Sequence, residues 1–177
     1  MRTSLYLATV FIPLSFLGSS GSNISDEFSG IRCGSDVSKA LIGCKVNNER
    51  VVVIEERHID IGLKDLGGYE VSDVVSLAWW RICGDEYVLL EKKNTIQDVL
   101  KLPSHSKEYP EFLGSCLLNG KETKGVIIAI LVNKEGSDLL SARVAWRIDE
   151  HQAKFISLST EGMLCPRDGI STSDGGH

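Results

Sequence analysis

Short apolar runs separated by glycine, asparagine and aspartate recur along this chain, and this pattern predicts β-strands joined by tight turns. The clearest run lies within residues 125–132, where apolar side chains follow one another without alternation. Such a run predicts a strand that is buried on both faces. A helix is the alternative to a strand over residues 71–82 and 94–102. The other predicted strands cover residues 50–61, 77–82, 87–90, 94–102, 112–118, 139–148 and 154–158.

One short helix is predicted over residues 35–43, because Ser35 can cap its first turn and Gly43 can end it. Residues 62–68 predict a loop that the Gly67–Gly68 pair closes. One short N-terminal helix followed by strands with short links predicts a mainly β fold, either an antiparallel sheet, a sandwich or a small barrel.

The first residues have the three parts of a secretory signal. Arg2 is the only charged residue before Asp26, an apolar stretch covers residues 5–17, and small residues fill positions 18–22. A membrane-spanning helix needs about 20 apolar residues. The apolar stretch is shorter than that and contains Pro13, so a cleaved signal is favoured over a membrane anchor.

The predicted organisation has three segments. Residues 1–22 are expected to form the signal peptide, residues 23–167 a single β-rich domain, and residues 168–177 a disordered tail rich in glycine, serine and aspartate. We therefore expect a secreted or periplasmic protein with no membrane span after signal cleavage.

Charge argues against two classes of partner. The chain has 19 basic and 24 acidic residues and a net charge of −5. Nucleic-acid binding needs clustered lysine and arginine, and Lys92–Lys93 is the one such pair that stands out. Neither nucleic acid nor an anionic membrane surface is an expected partner.

The five cysteines predict a disulfide-stapled domain, because cysteines pair in an oxidising compartment. We expect the pairs Cys33–Cys83 and Cys116–Cys165, with Cys44 left over; a local Cys33–Cys44 bridge is the alternative. Each expected bridge closes a loop of roughly 50 residues and stabilises the fold by about 3–4 kcal/mol on the chain-entropy model.

Glu56, His58 and Asp60 are the best candidates for catalysis. In an extended strand side chains alternate, so these three would share one face, where two carboxylates and an imidazole suit acid–base chemistry. The alternative is that they form the solvated face of a half-buried strand. No second cluster of cysteine or histidine is visible, so no metal site is predicted.

Four further side chains are candidates on weaker grounds. His105 lies between two serines in a predicted loop, and a solvated loop histidine is its alternative interpretation. Trp79, Trp80 and Trp146 are candidates for contact with a ligand or partner, against the alternative that they belong to the core.

Several well-defined motifs do not occur in the sequence. It contains no Gly-x-Ser-x-Gly elbow, no phosphate-binding glycine loop and no Cys-x-x-Cys pair. No cofactor is therefore predicted.

Three groups of residues together resemble a family of exported bacterial proteins without known activity. They are Arg57–His58 with residues 62–67, then residues 80–84, then residues 145–149 with 160–162 and 165–167. The resemblance covers most of the predicted mature chain. It implies an exported location and no site residue.

These observations favour an exported binding or accessory protein of the cell envelope or the extracellular space, an inhibitor being one form of it. The expected partner is a protein or an envelope component, since a stapled scaffold with exposed loops suits recognition. One alternative is an extracytoplasmic hydrolase that uses Glu56, His58, Asp60 or His105. The other is a structural envelope protein.

The intact mass of the protein from its native host tests these expectations. After free thiols are blocked, we expect a mass that lacks about 20–22 residues and carries two disulfides and one blocked thiol. A full-length mass with all five thiols blocked would contradict both the signal peptide and the disulfides.

Overall fold

The computed structural model describes residues 26–46 and 50–170. The predicted signal peptide lies outside the described residues, as do residues 171–177 of the predicted tail. Within the described part the fold is mainly β and has two antiparallel sheets, one of which curls into a half-barrel, so the predicted fold class is confirmed.

The predicted N-terminal helix is confirmed as α1, Val37–Leu41. Asp36, rather than Ser35, caps it by accepting a hydrogen bond of 3.0 Å from the backbone N–H of Lys39. Gly43 follows the helix with φ +86°, a conformation that glycine adopts without strain.

The strand predicted over residues 50–61 is wrong. This segment forms helix α2, Val51–Arg57, and a 3₁₀ turn, Ile59–Ile61. Its β-branched residues favour a strand locally, but in the helical conformation that the structure shows, Ile54 and Ile61 are buried in the core. Packing of one helical face therefore overrides local propensity.

The loop predicted over residues 62–68 is also wrong, because strand β1, Lys64–Ser72, begins within it. A bulge between Asp65 and Gly67 lets the glycine pair remain in the ladder with β2. At Gly68 a Cβ would lie 3.0 Å from the backbone oxygen of Leu77, so a residue without a side chain permits the close approach of the two strands.

The first sheet has the order β1–β2–β3–β4. The two segments for which the sequence left helix or strand open, 71–82 and 94–102, contain strands. These are β2 at Val75–Ile82 and β4 at Ile96–Lys101. Between β2 and β3, Asp85–Lys92, the Cys83–Gly84 pair turns with positive φ at both positions, as expected of a tight hairpin.

The second sheet has the order β5–β8–β9–β11–β6–β7, with β10 paired to β9. The strand predicted over residues 112–118 is broken into two, which lie far apart in this order. Strand β11 is not among the strands that the sequence predicts. The strands are β5 Glu111–Gly114, β6 Leu117–Leu118, β7 Lys121–Glu122, β8 Ile127–Val132, β9 Leu139–Asp149, β10 Lys154–Leu158 and β11 Met163–Pro166.

The core consists of three apolar clusters. The first lies between the N-terminal segment and one face of the first sheet, and the second lies inside the half-barrel. The third lies between the two sheets, where Leu77 and Trp79 meet Ile128 and Ile148. Strand β8 contributes Ile128 to the third cluster and Ile127 to the second, so its predicted burial on both faces is confirmed.

Side chains also link the two sheets at their edges. Asp98 of β4 accepts a hydrogen bond of 2.9 Å from the backbone N–H of Phe155 in β10. Lys92 donates to the backbone oxygens of Glu150 and His151 at 2.9 and 3.2 Å. These contacts and the third core cluster hold the sheets together.

Both expected disulfides are confirmed, and each lies within one half of the molecule. Cys33–Cys83 joins the N-terminal segment to the β2–β3 turn, and Cys116–Cys165 joins the segment between β5 and β6 to β11. Cys44 is free, and its Sγ donates to the backbone oxygen of Ala40 at 3.3 Å. Two disulfides are consistent with an extracellular or otherwise oxidising compartment. Among the described residues no helix has the length and apolar character needed to cross a membrane.

Replacing Cys33 and Cys83 together by serine should lower the free energy of unfolding by about 4 kcal/mol, because a loop of roughly 50 residues is no longer closed in the unfolded chain. Urea unfolding followed by tryptophan fluorescence measures the loss. Cys44→Ser is the control, since a serine hydroxyl can donate to Ala40 as the thiol does. An equal loss in the control would show that the effect does not come from the crosslink.

Candidate functional site

The carboxylate of Asp26 is the centre of a buried polar cluster beside α2. Its side chain is 4% exposed and accepts three hydrogen bonds. The backbone N–H of Phe28 donates to Oδ1 at 2.8 Å, and Arg57 Nη1 and His58 Nε2 each lie 2.7 Å from Oδ2. Burial opposes ionisation of this carboxyl, but the three hydrogen bonds outweigh burial and lower its pKa.

This cluster fixes the placement of His58, one of the predicted catalytic residues. Its ring is buried, contacts Phe28 with 6.0 Å between ring centroids, and is hydrogen-bonded to Asp26. Phe28 in turn packs on Trp80, with centroids 4.9 Å apart. His58 therefore anchors the N-terminal segment to α2 and to the first sheet.

Glu56 and Asp60 lie apart from that arrangement, since both side chains are exposed while His58 is buried. The shared face expected of an extended strand does not exist, because the segment is helical. The structure therefore does not bring Glu56, His58 and Asp60 together as one acid–base site.

A different histidine lies among carboxylates. Possible ligand atoms of Glu86, His105 and Glu111 all lie within 4.8 Å of one another. His105 Nε2 is 3.4 Å from Glu86 Oε2, and both side chains are largely buried. We call these three residues the Glu–His–Glu cluster.

Three separate elements supply the cluster. Glu86 lies on β3, Glu111 begins β5, and His105 lies in the loop that connects β4 to β5. That loop is fastened at its start, where the backbone N–H of Leu102 donates to the backbone oxygen of Glu86 at 2.8 Å. A predicted solvated loop thus carries a largely buried histidine.

Each carboxylate of the cluster has one oxygen held by a neighbouring donor. Trp79 Nε1 donates to Glu111 Oε1 at 2.6 Å, and Arg81 Nη2 donates to Glu86 Oε1 at 2.7 Å. Glu111 is only 5% exposed, and this burial raises its pKa even though the bond from Trp79 and the nearby His105 act in the opposite direction.

Glu91 is a second carboxyl with a raised pKa, about 6, caused first by burial. Ser76 Oγ lies 3.4 Å from its Oε2, and the charge of the buried Glu27 raises the pKa further. No histidine or cysteine forms a metal-binding group with it among residues 26–46 and 50–170. It is a partly buried acid on β3.

The predicted aromatic candidates are placed at internal surfaces. Trp79 and Trp80 are both buried, on opposite faces of β2, and Trp146 packs against the cluster between the sheets. Trp79 also positions Glu111. A role for Trp146 in partner binding stays a prediction.

Four apolar side chains are exposed on α2 and in the turn after it. They are Val51, Val52, Val53 and Ile59, which we call together the α2 surface. Val52 is 62% exposed and Ile59 is 80% exposed. Ile54 and Ile61 of the same segment are buried in the core.

The Glu–His–Glu cluster was not found in the sequence because its members come from distant segments. Glu86 reads as part of a turn, and Glu111 follows a proline without any recognisable spacing to His105. The one signal present was His105 itself, as an isolated residue.

Comparisons with protein-family models, with curated proteins and with solved structures find no match to this chain. The resemblance to exported bacterial proteins accordingly stays a prediction.

Replacing Asp26 by asparagine should lower the free energy of unfolding at pH 7 by about 1.5–3 kcal/mol, the range for hydrogen bonds to a charged group. Because the folded state lowers the pKa below 3.8, this stabilisation is present above pH 3.8 and is lost as the pH falls through the folded value. Urea unfolding at pH 7 and near pH 3 should therefore show a smaller difference from wild type in acid.

Asp73→Asn is the matched control, since Asp73 is an exposed aspartate between β1 and β2. We expect it to match wild type at both pH values. A loss in Asp26→Asn that is the same at pH 7 and pH 3 would mean that packing, and not the charge, is responsible.

Proposed function

We propose that this chain is an exported binding protein, an accessory or inhibitory protein of the cell envelope or the extracellular space, and that it recognises a partner protein through the α2 surface. The observation that carries the proposal is the exposure of Val52 and Ile59 on a rigidly mounted segment. The two disulfides and the predicted signal peptide support an extracytoplasmic location.

Neither folding nor local propensity accounts for the α2 surface. Exposed helical positions are favoured for residues such as alanine, glutamate and lysine, whereas valine is a poorer helix former. The exposed Val51, Val52 and Val53 do not fill the core either. Exposed residues whose local preference conflicts with the structure they adopt are expected at functional sites.

The segment that carries the α2 surface is also held in a fixed position. Binding through it therefore loses little conformational entropy. Ile54 and Ile61 are buried, and His58 is bonded to Asp26. Glu55 also holds α2 against β1. It accepts hydrogen bonds from the backbone N–H of Asp65 at 2.8 Å and from Lys64 Nζ at 3.1 Å.

Charge beside the α2 surface indicates the chemistry of the partner. Glu56 and Asp60 are exposed, and within the described part of the chain no ion pair involves them. Acidic groups at the border of an apolar patch favour a partner with apolar side chains bordered by lysine or arginine. We therefore expect a basic-rimmed apolar patch on the partner protein.

The alternative of a hydrolase that uses Glu56, His58, Asp60 or His105 gains no support from the arrangement of the first three side chains, whereas His105 lies beside two carboxylates. The other alternative, a purely structural envelope protein, predicts neither a specific partner nor turnover.

Photo-crosslinking at the α2 surface tests the proposal. A photoreactive residue at position 59 should crosslink one protein in the extracytoplasmic fraction of the native host, and the same residue at position 74 should not. Val74 is the matched site, since it is 50% exposed and lies in the β1–β2 turn. Absence of a crosslink specific to position 59 would overturn the proposal.

The purified partner then allows a quantitative test. Ile59→Glu should weaken its binding at least about tenfold, because a charge replaces an apolar contact, while Val74→Glu leaves it unchanged. Thermal unfolding should give the same midpoint for both variants and wild type. Equal binding by both variants would show that the α2 surface is not the contact.

A further inference from the structure

We propose that the Glu–His–Glu cluster binds one divalent transition-metal ion, with Zn²⁺ as the expected metal. One imidazole nitrogen and two carboxylate oxygens from three separate elements converge there. The cluster lies on other elements than the α2 surface, so this inference does not depend on the proposed function.

The spacing of the donor atoms suits an ion between them. Zinc–nitrogen and zinc–oxygen bonds are about 2.0–2.2 Å long, so tetrahedral ligands lie about 3.3–3.5 Å apart. The distance between His105 Nε2 and Glu86 Oε2 is already 3.4 Å. The remaining separations, at most 4.8 Å, close with small rotations of the carboxylate side chains.

Groups outside the cluster orient its ligands in the way that metal sites require. A carboxylate ligand is commonly hydrogen-bonded through the oxygen that does not bind the metal. Trp79 holds Oε1 of Glu111 and Arg81 holds Oε1 of Glu86. For Glu86 the other oxygen is the one that faces His105.

Charge favours a cation at this place. Two ionised carboxylates and one guanidinium, that of Arg81, leave one negative charge when the imidazole is neutral. Glu111 is buried, where an ionised carboxylate is costly unless a proton or a cation compensates it. A divalent ion supplies that compensation.

The donor set selects among metals. Mg²⁺ and Ca²⁺ take oxygen ligands, usually six or more for Ca²⁺, whereas imidazole suits zinc and other transition metals. Three protein ligands leave the fourth position of a tetrahedral ion open, as in zinc sites that bind water or an exogenous ligand. His105 keeps some solvent exposure, so a small donor can reach that position.

Calorimetric titration of the untagged, chelator-treated protein with Zn²⁺ alone tests the proposal. We expect saturable binding of one ion per chain. His105→Ala and Glu111→Gln should each weaken the binding at least about tenfold, because loss of a group that only orients a ligand already weakens metal binding about 10–100-fold. His151→Ala is the matched control, because His151 is exposed in the β9–β10 turn, and it should bind like wild type.

Glu111→Gln separates loss of a metal ligand from loss of folding as the cause of weaker binding. The glutamine amide oxygen can still accept the hydrogen bond from Trp79. The thermal midpoint of this variant without metal is therefore expected near that of wild type, and added Zn²⁺ should raise the midpoint of wild type only. No saturable site in wild type, or equal weakening by His151→Ala, would overturn the proposal. Unchanged affinity in His105→Ala would overturn it as well.

Discussion

The apolar cluster between the two sheets is the contact on which the whole architecture depends. Each of the two disulfides lies within one half of the molecule, so neither joins the first sheet to the second. Leu77 and Trp79 on one side and Ile128 and Ile148 on the other exclude water between them. Burial of this kind is worth about 1.5–3 kcal/mol for each large side chain, which makes it the main term that keeps the halves together.

The same junction explains why polar side chains gather where they do. Trp79 belongs to the apolar cluster, yet its indole N–H needs a partner, and Glu111 at the start of β5 provides it. This bond places a buried carboxylate beside the loop that carries His105. The α2 surface arises differently, because the Asp26 cluster and the buried face of α2 turn its remaining side chains outward.

The sequence predicted the β fold and a disulfide-stapled domain because alternation, turn residues and cysteine count are local or compositional signals. The cysteine count does not determine which cysteines pair, and the structure decides between the expected pairs and the alternative Cys33–Cys44 bridge. The prediction from sequence failed at α2, where three valines favour a strand but long-range contacts of Ile54 and His58 stabilise a helix. It also missed β1 and β11. The Glu–His–Glu cluster could not be predicted, since Glu86, His105 and Glu111 meet only through tertiary folding.

The position of Cys44 has a consequence for how the protein acquires its disulfides. In chain order Cys44 lies between Cys33 and Cys83, so the N-terminal disulfide does not join consecutive cysteines. A chain oxidised from its N-terminus as it enters an oxidising compartment meets Cys44 as the first partner of Cys33. Conversion to the native pair then requires attack by a thiolate on that early disulfide, which is the reaction that a disulfide isomerase catalyses.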